Sequence, residues 1–438
     1  MRFLTGSADG RRRRLSVVLF AGCAVAALTI RLAIAANTYG TNDMRTWAGF
    51  ARLFHERGAA ALYALAPADV PEIPYYHYNH PPVSLVLLSV VNVLSGWGLA
   101  FPLAFRLLPS LADLVTATLI FRRLGAPSEW TGLAGAALFL FSPLAILISS
   151  YHGNTDSIVV CLALAAVLAA DRDRPLLAGS LIALACGLKL GAILTVPAVV
   201  LTTRPEQRRS SLVAMGAVSA AVWIPGVILS PATFLQRTIG YAPNGGHFGF
   251  NVLLNGLVDA LPHDQAPWWI ARALRFAFMR SSRVLIAVIF VLTFVAYARQ
   301  HLRGPALAAF GNVLFLAFTS GFGTQYLIWP AANGLFLGFG WAAAYHAAAG
   351  LFLCLLYNNL SQGSWWYVSF FENPPWSVQA SAAGIVTWMI LLAWASLLID
   401  KLLRSRWRNR GAASSGRQSG GDGRRAESTM KRTTGTVM

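Results

Sequence analysis

The chain alternates long apolar runs with short polar breaks, and the length of the runs sets its architecture. A hydrocarbon core of about 30 Å takes roughly 20 apolar residues as helix. On that measure the candidate spans are 15–36, 82–98, 100–121, 130–150, 156–170, 175–201, 211–230, 284–299, 305–321, 326–341, 343–357 and 378–400. The pattern predicts an all-α polytopic membrane protein with about twelve transmembrane helices. External loops at roughly 37–81, 231–283 and 358–377 interrupt them. In the first loop the period changes. Met44, Trp47, Ala51 and Phe54 recur at helical spacing, Phe50 widens the stripe, and Arg45, Arg52 and Glu56 lie opposite. That spacing predicts an interfacial amphipathic helix lying along the membrane surface.

Composition supports this architecture. Of 438 residues, 56% are hydrophobic and 12% charged, where a soluble domain carries about 25% charged. Soluble and disordered readings are excluded. The net charge of +18 would suggest nucleic acid in a soluble chain, but residues 1–14 and 401–438 hold two thirds of it. The charge therefore belongs to two tails and calls for no nucleic acid. The domain reading is a basic cytoplasmic N-terminus (1–14), a transmembrane catalytic domain (15–400) and a disordered basic cytoplasmic tail (401–438) that rests on anionic lipid. Arginine outnumbers lysine 32 to 3 and alanine and glycine abound, which suggests a high-GC bacterial source and hence its inner membrane. The positive-inside rule puts both termini in the cytoplasm with Arg204, Arg208, Arg209, Arg299 and Arg303. Arg122 and Arg123 fall outside, so either the rule fails locally or one early span is miscounted. A signal peptide competes for 1–36, although Arg31 interrupts its apolar run. The cysteines, Cys23, Cys161, Cys186 and Cys354, all sit in apolar stretches and read as small buried hydrophobes.

The few polar residues of the body carry the candidate chemistry. Asp43 opens the amphipathic helix, either as an N-cap or as a catalytic carboxylate at the membrane boundary. Tyr75, Tyr76 and Tyr78 suit an interfacial belt. His77 and His80 form a weak metal pair, and without a third ligand a divalent metal is not supported. No cofactor is implied with certainty by these residues. Arg272, Arg275, Arg280 and Arg283 fall within about 140° of one helical face, which suits either phosphate binding or snorkelling to headgroups. Lys189 is the only lysine before residue 401. Inside a span it needs an acid, such as Asp113 or Asp156. His152 and Asp156 share a face, and the span count puts them on the cytoplasmic side as polar packing. Arg31 reads as a snorkelling anchor.

Five stretches, taken in order, resemble the GT-C superfamily of polyprenyl-phosphate-sugar-dependent membrane glycosyltransferases. They are the loop from Asp43 to Pro81–Pro82, RLLPSLADLV (Arg106, Asp113), SPLAILISSYHGNTDSI (His152, Asn154, Asp156), CGLKLGAILTVP (Lys189) and FGTQYLIWP (Gln325, Tyr326, Trp329). The resemblance covers roughly residues 15–345, with segments similar to the bacterial mannosyltransferase-like and endoplasmic-reticulum glucosyltransferase branches. It implies inverting transfer of a mannose- or glucose-like hexose from a polyprenyl-phosphate donor to a lipid, glycan or protein acceptor at the outer face. Asp43 would be the base. Arg237, His247, Arg272, Arg275, Arg280, Gln325 and Tyr326 would serve the donor phosphate or substrate. Arg45, His77, Tyr78, His80, His152, Asn154, Asp156 and Lys189 would line the cavity or pack within it. One acid stands at the loop opening where some members carry a pair. A transporter or flippase of lipid-linked sugars is the rival reading, but it should show two repeated halves, and none is visible. A non-catalytic assembly subunit is the third.

Overall fold

In a computed structural model the described residues are 8–64, 77–240, 246, 248–363 and 375–418, with side chains to residue 404. Those residues contain helices and turns and no strand. The helices are α1 (Ala8–Asn37), α2 (Asn42–Ala64), α3 (Val83–Gly96), α4 (Phe101–Leu124), α5 (Glu129–Phe141), α6 (Pro143–Ile146), α7 (Asp156–Asp171), α8 (Pro175–Leu188), α9 (Val196–Thr202), α10 (Arg208–Leu229), α11 (Pro231–Thr238), α12 (Phe250–Ala260), α13 (Ala266–Arg280), α14 (Ser282–Gln300), α15 (Gly304–Phe318), α16 (Trp329–Gly334), α17 (Phe339–Leu360) and α18 (Val378–Gln418).

Among the described residues six helices are long and apolar enough to cross a membrane: Gly10–Asn37, Phe101–Leu124, Pro205–Leu229, Ser282–Gln300, Phe339–Leu360 and Val378–Arg404. A seventh arises if α5 and the segment Pro143–His152, bent by 49°, count as one span. The expected twelve is therefore not confirmed. Several expected spans are short or broken, and each break falls at a polar or cyclic residue. The stretch expected as one span over 175–201 is two arms, α8 and then a 3₁₀ turn (Leu190–Thr195) leading into α9. They meet at Lys189, whose backbone is extended. The stretch 326–341 begins as a 3₁₀ turn (Thr324–Ile328) and passes into α16, whose second residue is Pro330.

The bundle has two distinguishable ends. At one, Phe20 of α1 stacks on Phe121 of α4 at 4.5 Å, Arg123 pairs with Asp171 at 3.0 Å, and Arg204 pairs with Asp173 at 2.6 Å. The Gly304 amide donates to Thr202 there. At the other end lies Asp43. α3 stays on the Asp43 side. Its Leu87, Leu88 and Val91 pack with Trp47 and Phe50 of α2, and Asn92 donates to the Ala51 carbonyl at 3.3 Å. Fourteen residues of helix are about 21 Å long, too short to cross. α4 consequently starts on the Asp43 side and carries Arg122 and Arg123 to the opposite end, beside Arg204. The early miscount was the residue range 82–98.

The core is helix-on-helix packing of apolar faces, with small residues at the closest approaches. A Cβ on Gly179 of α8 would sit 2.1 Å from the Ser211 carbonyl of α10. Two buried arginines tie α1 into the bundle. Arg31 is fully buried and pairs with Asp113 at 3.2 Å, while donating to Ser149 and to the Leu140 carbonyl. This corrects the snorkelling reading, and it makes α1 an integral element. Arg106 donates to the Ala35 carbonyl at 2.9 Å, to Thr38 Oγ1 at 2.9 Å and to the Ser150 carbonyl at 3.1 Å. A buried guanidinium so satisfied fixes where α1 ends and the Asp43 segment begins.

Candidate active site

Asp43 stands in the first turn of α2, where Met44, Trp47, Phe50 and Ala51 of the expected stripe are buried, Phe54 is half-buried, and Leu53, outside that stripe, is buried as well. The burial of that stripe fixes the rotation of the helix and with it the carboxylate. Across from it, the chain after α6 forms a π-helical turn, Leu147–His152, and then reverses at Gly153. Gly153 has φ +77, and a Cβ there would meet Met44 Sδ at 2.0 Å. Only glycine permits this approach. π-turns of this kind frequently mark functional sites, and here the turn projects His152 and Asn154 toward Asp43.

His152 Nε2 lies 3.2 Å from Asp43 Oδ2, and Asn154 Nδ2 donates to the same oxygen at 2.5 Å. Thr41 Oγ1, at the helix entrance, donates to the His152 carbonyl at 2.6 Å. The Tyr357 hydroxyl is 2.8 Å from His152 Nδ1. Both described contacts of the Asp43 carboxylate fall on Oδ2, and the side chain keeps 32% of its surface open. Burial alone would raise the Asp43 carboxyl, but His152, Asn154 and Lys189 outweigh it and hold it below the ordinary aspartate value of 3.8. The group is a carboxylate at any physiological pH.

The open side faces a cavity of about 470 Å³, lined by Asp43, Trp47, His77, His80, Asn154, Lys189, Arg283, Gln325, Tyr326 and Trp329, among others. Lys189 is bound to Asp156 at 2.6 Å and sits over the Tyr326 ring at 5.1 Å. The other Asp156 oxygen accepts from Trp329 Nε1 at 2.6 Å. His80 packs against Trp47 at 4.3 Å. Burial and the Lys189 charge push its imidazole down to about 3 despite the pull of Asp43, leaving it neutral. The lining therefore offers one ionised carboxylate, two cations and neutral hydrogen-bonding groups together with the apolar Leu190, Ile193, Leu194 and Phe315. Among the described residues no cluster of three or more His, Cys, Asp or Glu is placed to hold a metal ion.

The comparison with family models adds the class. Residues 76–320 match the model for Glycosyltransferase family 87, more than half of the chain. The chain belongs to that family. It is a GT-C-type membrane glycosyltransferase, and a multi-pass one. No curated protein matches it. The match begins at residue 76, so Asp43 lies outside it, whereas His152, Asn154 and Lys189 lie within.

The glycosyltransferase gathers some of the expected site residues and disperses others. Asp43, His77, His80, Asn154, Lys189, Gln325 and Tyr326 line one cavity. His152 and Asp156 stand directly behind Asp43 and Lys189, on the Asp43 side of the bundle. Their end of the bundle differs from the one the span count gave, which took 82–98 as a crossing, while both are buried and pack as polar groups behind the cavity wall. Lys189 takes Asp156, while Asp113 belongs to Arg31. Tyr78 is buried, bonded to Ser84 and packed on Phe50 and Tyr63, away from the cavity wall. Arg45 is half-buried and outside the lining. Arg237 donates to the Tyr63 carbonyl at 2.6 Å; its neighbours Thr238 and Ile239, not Arg237, reach the cavity. His247 lies outside the described residues. Arg272 packs over Trp268 at 5.1 Å, Arg280 over Phe276 at 4.1 Å, and Arg275 is exposed. Of that cluster only Arg283 lines the cavity. Tyr357, Trp47 and Asn79 were missed. Tyr357 sits in an apolar run, where nothing in the sequence singles out one hydroxyl.

Proposed function

We propose that this glycosyltransferase moves a mannose- or glucose-like hexose from a polyprenyl-phosphate donor to a lipid-linked, glycan or protein acceptor. The reaction takes place at the outer face of a bacterial inner membrane, with both termini cytoplasmic. The observation that carries the reading is the Asp43 carboxylate, held ionised beside His152 and Asn154 in a cavity that Lys189 and Arg283 also line. In the proposed step an acceptor hydroxyl attacks the anomeric carbon from the Asp43 side. Its proton passes to Asp43 Oδ1, the oxygen left uncommitted by His152 and Asn154. The anomeric carbon–oxygen bond breaks, its electron pair leaves with the polyprenyl phosphate, and the configuration inverts. A carboxylate suits this role because it accepts the proton as the hydroxyl becomes acidic in the transition state.

The leaving phosphate gains negative charge, so fixed cations stabilise it more in the transition state than in the ground state. Lys189 and Arg283 line the cavity for that task. Lys189 is held in place by Asp156, whereas Arg283 has no partner among the described residues and can take a phosphate bidentately. The collection of Arg122, Arg123, Arg204 and Arg208 at the end opposite Asp43 supports the orientation, since that end is then the cytoplasmic one.

Purified protein in lipid vesicles, given labelled polyprenyl-phosphate hexose or labelled nucleotide hexose with a membrane extract as acceptor source, tests the donor class. Transfer from the polyprenyl donor alone, lost in Asp43→Asn, is the expected result. Transfer from the nucleotide sugar alone, or unchanged transfer by the Asp43→Asn protein, overturns the proposal.

A further inference from the structure

His80 stands where the first loop enters α3, and the residues around it leave it little freedom. Pro81 follows it and restricts its backbone to extended conformations, and its carbonyl accepts from the Tyr63 hydroxyl at 2.9 Å. The ring is clamped by aromatics: tilted on Trp47 at 4.3 Å, edge-on to Tyr78 at 5.6 Å and to Phe50 at 6.5 Å. Trp47 is held in turn against Phe105 at 5.2 Å. Among the described residues neither ring nitrogen has a hydrogen-bond partner, and neither is sealed from the cavity that the residue lines. Other polar groups of that lining are committed: Asn154 donates to Asp43 and Lys189 to Asp156. Burial and the Lys189 charge keep the imidazole neutral. A neutral imidazole presents one N–H donor and one nitrogen lone pair. A hydroxyl can meet either nitrogen, because it accepts from the N–H or donates to the lone pair. A phosphate or a carboxylate offers acceptors only and can meet just one of them.

We propose that His80 is a specificity-determining residue, whose aromatic-clamped imidazole reads a hydroxyl of the transferred hexose. The subsite rests on the reading of Asp43 as the base and Lys189 as a phosphate partner. In that reading the hexose lies between the two, and His80 lines the same cavity as both. Its part is selectivity and not proton transfer, since Asp43 takes the acceptor proton. The clamp fixes the ring before the sugar arrives, so the hydrogen bond costs little ordering entropy. A sugar lacking that hydroxyl would leave the imidazole edge unpaired in a largely enclosed wall, and a site built to bond a hydroxyl rejects its deoxy analogue for that reason.

The test gives wild type, His80→Phe and His80→Gln in lipid vesicles polyprenyl-phosphate mannose, polyprenyl-phosphate glucose and their monodeoxy forms, one for each ring hydroxyl. Phenylalanine keeps a flat ring against Trp47 and removes both nitrogens, whereas glutamine restores a donor and an acceptor. Wild type should lose about tenfold in kcat/KM at one deoxy position of the hexose it prefers, the worth of one neutral hydrogen bond. In His80→Phe that penalty should shrink below about twofold while those at the other positions stay, and His80→Gln should restore part of it. A merely structural role would slow every sugar by the same factor and keep the wild-type pattern, and that result overturns the subsite. A wild-type series with no costly position overturns it too. His80→Leu gives the same comparison with a smaller side chain, so a folding defect in His80→Phe does not shield the proposal. Equilibrium competition against labelled polyprenyl-phosphate mannose in the same vesicles repeats the series without turnover. One costly position, erased in His80→Phe, in protein that transfers no sugar contradicts the proposed function and leaves the subsite standing. Transfer by wild type with the pattern unmoved in His80→Phe does the reverse, and protein that binds no member of the series overturns both.

Discussion

Two aspartates, Asp43 and Asp113, each sit beside a potential cation in the same bundle, and they differ in one respect. Asp113 is closed on every side: Arg31 approaches at 3.2 Å and the side chain is about 1% exposed. Asp43 has the same kind of company on Oδ2 but keeps 32% of its side chain open to a cavity. A buried charge that is fully enclosed fixes the fold, because removing its partner leaves an uncompensated ion in a low-dielectric interior. A charge that is paired on one atom and open on the other can exchange a proton with something that enters. Lys189–Asp156 stands between the two cases, with the acid enclosed and the lysine 13% exposed at the cavity wall.

The sharpest way to break this contrast is through Arg31. Arg31→Met strands Asp113, and the expected cost is about 3–5 kcal/mol of folding stability. It should appear as a large fall in the thermal unfolding midpoint in detergent, with normal transfer per folded molecule. Lys189→Met should cost less, about 2–3 kcal/mol, because Asp156 keeps its bond from Trp329, but it should also weaken donor turnover, which the Arg31 variant does not. Asn154→Ala removes a hydrogen bond to an ionised group, an effect of about 1.5–3 kcal/mol. Its sign follows from Asp43 being held below 3.8. A depressed carboxyl stays ionised as pH falls, so activity persists until pH drops through that lowered value. Losing Asn154 raises the value, and the acid limb of the pH profile should move up by about one unit. The smallest effects belong to the arginines. Arg283→Gln should raise donor KM about tenfold, whereas Arg275→Gln, outside the cavity, should change it less than twofold.

The sequence made the individual residues visible more readily than their partnerships. The stripe from Met44 to Phe54 shows in the spacing because a surface helix buries one face, and the structure buries that face from Met44 to Ala51 and leaves Phe54 half-buried. Asp43 stood out because it opens a polar loop beside a span. Its partners did not, since His152 and Asn154 are more than a hundred residues away and their side of the membrane depends on counting spans correctly. The count failed at 82–98 because hydropathy measures how apolar a segment is and not whether it is long enough and directed to cross. Once α3 is recognised as staying on the Asp43 side, Arg122 and Arg123 cease to be exceptions, and His152 moves to the site. Arg31 was misread for a related reason. A charge near a helix end looks the same in sequence whether it reaches for headgroups or for a buried acid. Of the arginines expected on one face at 272–280, Arg272 and Arg280 pack on Trp268 and Phe276 and Arg275 is exposed, and none of the three lines the cavity.

The most direct measurement compares Asp43→Asn with Asp113→Asn in the same vesicles, recording both thermal unfolding and single-turnover transfer from labelled polyprenyl-phosphate hexose. The two variants should behave in opposite ways. Asp43→Asn should unfold at nearly the wild-type temperature and lose transfer by about 10²–10⁴-fold. Asp113→Asn should unfold well below it yet transfer at close to the wild-type rate per folded molecule. An Asp43→Asn protein that is folded and transfers sugar within tenfold of wild type would contradict the claim that the open carboxylate is the base.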